Sequence, residues 1–175
     1  MYKLFVFTIV GFAVALATTP ASAQQSDATS KMRGEYNFRS GSANRSMRNA
    51  REYSHAYREY VRTPEVEKVE PEVAKETADA IEQYIVKSQK HMAWMRKHAA
   101  GNKATVASLD LIDKNLEEAE KSHKELHEMC EKAEIDGKGS TTCCERIDES
   151  LSVAIAEHDK LMKRLGLDKP KPKKQ

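Results

Sequence analysis

The segment Lys121–Cys130 reads KSHKELHEMC, and a little further on Cys143 and Cys144 sit side by side in STTCCER. Imidazole and thiolate groups hold copper and zinc, whereas paired thiols close disulfides, so two chemistries compete for the same residues. In the metal reading, His123 and His127 stand one helical turn apart on the same side of a helix, with Cys130 as a third ligand and Glu128 and Glu131 nearby. In the disulfide reading, the chain turns near Gly137 and brings Cys130 level with Cys144 across an antiparallel pair of helices. Cys143 and Cys144 flank the inward face of the later helix on opposite sides, so either could reach Cys130, with Cys144 preferred by its level. Such a bridge closes a loop of about 15 residues and contributes about 3 kcal/mol by chain entropy. It would also consume the Cys130 thiolate, so the two readings exclude each other. The disulfide is the expectation, with no cofactor; copper or zinc on His123, His127 and Cys130 is the alternative.

Other constellations are weaker. Glu52-Tyr-Ser-His55 and Glu120-Lys-Ser-His123 both match the E-x-x-H element of di-iron bundles. By helical periodicity, however, Glu52 and His55 point away from the inward face of their helix and cannot meet the other pair. A glycine-rich phosphate loop, a nucleophile elbow and a C-x-x-C pair are all missing from the sequence, so no enzymatic activity is expected. His91, Trp94 and His98 form a stripe beside a core face, which fits either a half-buried contact with a neighbouring segment or a surface for a partner. Arg48, Arg51, Arg58 and Arg62 share one face of another helix; they fit a solvated face paired with acidic neighbours or a site for an anionic polymer.

These residues need elements to carry them, and the chain supplies four. A basic start, Met1-Tyr2-Lys3, precedes the apolar run Leu4–Ala17, and Ala21-Ser22-Ala23 forms an A-x-A signal. That pattern predicts a signal peptide over 1–23, cleaved between Ala23 and Gln24, and a periplasmic or extracellular product. At about 14 residues the run is short for a bilayer span, and the mature chain is expected to have none. Residues 24–42 carry glycine and serine punctuation and read as a loose, flexible arm, while 167–175 read as a disordered Lys/Pro tail. Between them, breakers at Thr63-Pro64, Gly101-Asn102 and IDGKGST delimit helices over about 43–62, 71–100, 103–134 and 140–166. Each has an apolar seam at steps of three and four: Leu109, Ile112, Leu116, Ala119, His123, Leu126 and Cys130 in the third, for example. With short connections, the predicted fold is all-α, an up-down-up-down antiparallel four-helix bundle with coiled-coil-like seams over 43–166.

The formal net charge of +2 hides a division of the chain into blocks. Residues 31–62 hold eight basic and three acidic side chains, 163–175 six and one, and the stretch between them 14 and 22. An acidic body thus lies between two basic segments. Nucleic acid is excluded as the natural partner by the export signal and by the lack of a recognition motif.

The segments MRGEYNFRSGSANRSMRNAREYSHAYREY, QKHMAWMRKHA and AIAEHDKLMKRL resemble a set of small exported bacterial helical proteins. The resemblance implies an exported helical chain and carries over no activity, ligand or catalytic residue. The expectation is therefore a non-enzymatic bundle that binds an envelope protein or an anionic polymer and self-associates weakly.

Overall fold

The computed structural model describes residues 21–99, 102–132 and 134–167. Four helices follow in order: α1 (Ala21–Arg62), α2 (Pro71–Lys97), α3 (Lys103–Cys130) and α4 (Gly137–Arg164), with no strand among the described residues. No helix among those residues is long and apolar enough to cross a membrane. The predicted signal peptide lies outside the described residues except for its last three, and residues 168–175 of the tail lie outside them too.

The ends of the helices follow from local chemistry. Pro71 begins α2, where its missing N–H is no loss. Asn102 caps α3 by accepting from the Thr105 N–H at 3.1 Å. The predicted cap of α4 at Ser140–Thr142 is displaced to Asp136, whose side chain accepts from the Lys138 N–H at 3.1 Å, so α4 starts at Gly137. Gly166, at φ 63°, terminates α4 in the left-handed conformation that glycine adopts without strain. The Leu167 N–H then returns to the Met162 carbonyl and the Gly166 N–H to that of Lys163.

Polar contacts fix the topology. Between α1 and α4, Arg48 meets Asp159, Arg58 meets Asp148 and Arg62 meets Glu145, numbers that rise on one helix as they fall on the other. The same inverse order links α2 to α3 through Arg96–Asp113 and Gln89–Glu120, and α3 to α4 through Ser108–Glu157 and Glu125–Arg146. Between α1 and α2, Tyr36 reaches Met95 and Ser88 reaches Ala43. All neighbours are antiparallel, so the bundle is up-down-up-down.

The predicted seams are the core. Every seam residue named for α3 is buried, as are Ala74, Ala78, Ile81, Ile85, Ser88, Met92 and Met95 of α2. On α4, Ile147, Leu151, Ala154, His158 and Leu161 are buried, and on α1 Ala43, Met47, Ala50, Ser54 and Tyr57. Each fully buried leucine or isoleucine contributes about 1.5–3 kcal/mol, which is why the 3.6-residue period decides the architecture.

The loose arm expected over 24–42 is instead helical, continuous with α1. Ser40-Gly41-Ser42 disfavour a helix locally, with glycine costing about 1 kcal/mol against alanine. Tertiary contacts reverse that preference. Tyr36 packs edge-on against Trp94 at 5.4 Å between ring centres and donates its hydroxyl to the Met95 carbonyl at 2.9 Å. Ser40 is buried against α4.

Candidate functional site

The two histidines of the α3 stripe lie side by side, with ring centres 6.0 Å apart, while Cys130 points elsewhere. His123 is buried and bonds through Nε2 to the Ala78 carbonyl of α2 at 2.8 Å, so that nitrogen carries the proton. Burial, with the neighbouring His127 adding to it, holds its pKa below the ordinary histidine value. His127 lies at the edge of the bundle with Nε2 3.6 Å from Asp79 and Nδ1 3.6 Å from Glu131. Cys130 turns instead toward the Tyr57 hydroxyl of α1, 3.9 Å away. Among the described residues no group of three or more histidine, cysteine or acidic side chains is placed to hold a metal ion. Of the copper or zinc set, His123 and His127 both face α2, whereas Cys130 faces α1, because neighbours on one helix face different partners.

The predicted disulfide is not formed either. Cys130, Cys143 and Cys144 are free thiols, all buried. The three lie within electrostatic reach of one another, and each also has its own partner: Tyr57 for Cys130, the Arg146 guanidinium at 3.4 Å for Cys143, and the Ser54 hydroxyl for Cys144. Burial pushes the Cys144 thiol up to about 12 and raises that of Cys130, and it raises the Tyr57 phenol as well. Thiols so placed are poor nucleophiles.

The arginine face of α1 is occupied by α4. Arg48, Arg58 and Arg62 pair with Asp159, Asp148 and Glu145 at 3.1, 3.0 and 2.5 Å, and Arg51 donates to Ser152 at 3.3 Å. This ladder joins the basic first segment to the acidic body, the arrangement expected of a paired face. It engages all four arginines with α4, although only Arg58 is well shielded from solvent.

Trp94 is half-buried under the former arm. His98 stacks on its ring at 4.2 Å, Tyr36 meets it edge-on and the Arg39 guanidinium lies 5.2 Å from its centre, a cation–π contact. Beside them Phe38 stands over His91 at 6.3 Å and is 67% exposed, the most open large hydrophobic side chain among the described residues. The contact of His91, Trp94 and His98 with a neighbouring segment, one of the two sequence readings, is therefore present, and an aromatic surface remains above it.

A groove of about 530 Å³ lies between α1 and the end of α4, lined by Gly41, Asn44, Arg45, Arg48, His158, Asp159, Met162, Lys163 and Leu167. Its floor is a hydrogen-bond network. Arg48 Nε donates to Asn44 Oδ1 at 2.6 Å, which fixes the amide and directs its Nδ2 to Asp159 Oδ1 at 2.7 Å and His158 Nδ1 at 3.0 Å. His158 therefore carries its proton on Nε2 and donates to Ser40 Oγ at 3.2 Å; Ser40 in turn donates to Met162 Sδ at 2.6 Å. Burial keeps the pKa of His158 below its ordinary value, against the pull of Asp159. Ser40 and His158 have the composition of a nucleophile and base, but the imidazole presents a proton to the hydroxyl and cannot accept one from it. The pair is structural.

In the sequence His158 falls at steps of three and four with Leu151, Ala154 and Leu161 and so reads as core, not as part of the groove. Its rims come from residues too far apart in sequence to share a motif, and the only local sign is a glycine between two serines inside a helix. Compared with family models, curated proteins and solved structures, the chain matches none.

Proposed function

We propose that the chain is an exported, non-enzymatic helical bundle that acts by binding a protein in the cell envelope through its α1–α2 aromatic face. The observation that carries this reading is the exposure of Phe38 at 67% beside the stack of Tyr36, Trp94 and His98. Burying a phenylalanine is worth about 1.5–3 kcal/mol, which folding leaves unused here and a partner could recover. Aromatic groups flanked by an arginine are enriched at the centres of protein interfaces. Export is supported by the basic start, the apolar run Leu4–Ala17 and the Ala21-Ser22-Ala23 signal. An anionic polymer held by Arg48, Arg51, Arg58 and Arg62 is less favoured, since α4 already engages all four.

The test is site-specific photocrosslinking in exporting cells, with a benzophenone amino acid at Phe38 or, as a control, at Val153, which is exposed on α4. A discrete adduct from position 38 that is absent from position 153 and lost with Trp94→Ala is expected. Identical adducts from both positions, or none from either, would overturn the reading.

A further inference from the structure

We infer that the α1–α4 groove is a binding site for an organic oxyanion: a phosphate or carboxylate borne on a short apolar chain. This site is separate from the aromatic face and does not rest on the envelope reading.

Charge is the first argument. Along the α1–α4 seam Arg48, Arg58 and Arg62 each meet a carboxylate and Arg51 meets a serine hydroxyl, but the ladder stops at the groove. There Arg45 of α1 and Lys163 of α4 face the same space as exposed cations with no hydrogen bond or ion pair among the described residues. Asp159, the one carboxylate in the lining, is already shared by Arg48 and Asn44. Counting Arg48 with them, the lining carries three cations to one anion, while His158 is held neutral by its two hydrogen bonds. The negative end of α4 does not offset this excess. Three of its last four carbonyls, on Leu161, Met162 and Lys163, accept from the N–H groups of Leu165, Leu167 and Gly166.

Shape is the second. Gly41 lies inside α1, where glycine weakens a helix, yet no positive φ or close contact demands it; a Cβ built there meets nothing within 4 Å. The missing side chain leaves the groove open on the α1 side. At about 530 Å³ the space is within the usual range for small-ligand sites. Met162 and Leu167 supply an apolar wall, so bare inorganic phosphate would use only the charged half of the site. A membrane surface is the poorer occupant. Two cations attract an anionic bilayer only weakly, and a groove gains nothing from a flat surface.

Calorimetric titration of the purified full chain with octyl phosphate, inorganic phosphate and octyltrimethylammonium tests the assignment, alongside sedimentation with phosphatidylglycerol vesicles. Saturable one-to-one binding of octyl phosphate is expected, about tenfold or more tighter than inorganic phosphate, with none of the cationic amphiphile. The double variant Arg45→Ala/Lys163→Ala should weaken it by about tenfold or more. Gly41→Trp, which fills the mouth, should also weaken it with no loss of melting temperature. The assignment fails if octyl phosphate does not saturate, if neither variant changes its affinity, or if inorganic phosphate binds as tightly. Binding to anionic vesicles without binding of soluble octyl phosphate would overturn it in favour of a surface contact.

Discussion

The rung between Arg58 and Asp148 should be much costlier to break from one side than from the other. Its side chains are only 17% and 16% exposed, with 3.0 Å between Nη1 and Oδ2, whereas Arg48 and Asp159 at 3.1 Å are 52% and 47% exposed. At 3 Å and an effective dielectric near 20 the attraction is about 5 kcal/mol, a gross figure from which desolvating both charges subtracts several. Asp148 shows which contribution wins. Burial raises its pKa above the ordinary carboxylate value despite Ser54 and Arg58, and its Oδ1 has no hydrogen-bond partner among the described residues. Removing Arg58 therefore strands a carboxylate already short of partners, while removing Asp148 leaves a long cation that can reach water. In urea unfolding, Arg58→Met should cost about 2–3 kcal/mol and Asp148→Ala about 0–1 kcal/mol. The double variant should recover part of the larger loss, giving a coupling energy of about 1–2 kcal/mol. The cycle at Arg48 and Asp159 should give about 0–1 kcal/mol, since solvent screens that rung. Equal costs for the two single variants at Arg58 and Asp148, or equal couplings at the two rungs, would refute the reasoning that burial decides.

Two further outcomes follow from the buried titratable groups. His158 and His123 both have folded pKa values depressed below the ordinary 6.5, so the unfolded chain binds protons first as pH falls. Their contribution is complete above about pH 6.5 and declines as pH falls toward the folded values; His158→Gln should flatten the fall in urea midpoint between about pH 7.5 and 5.5, and an unchanged slope would contradict the assignment. For the thiols, Cys144 near 12 leaves about one part in ten thousand as thiolate at pH 8, and all three are buried. An aromatic disulfide reagent should titrate none in the native chain and three after unfolding without reductant. One titratable thiol in the unfolded chain would mean that a disulfide had been present.

The sequence by itself determined the bundle. Apolar residues at steps of three and four define which face of each helix must leave water, and that depends only on the geometry of one helix, so Leu116, Ile85 and Leu151 were legible as core. Asparagine and glycine at 102 and 166 likewise announced two of the ends through local hydrogen bonding and backbone freedom. What lies opposite a residue is another matter, because the axial register and rotation of two packed helices are set by all their side chains together. Cys130 faces Tyr57 on α1 although its seam also serves α4, and His123 bonds to α2 although His127 is its neighbour in sequence. Residues 34–42 looked loose because Ser40-Gly41-Ser42 are poor helix formers, whereas Tyr36 and Ser40 hold that stretch in α1 through Trp94, Met95 and His158. Arg45 and Lys163 have the same chemistry in sequence as their paired neighbours; the register of α1 against α4 alone left them without carboxylates.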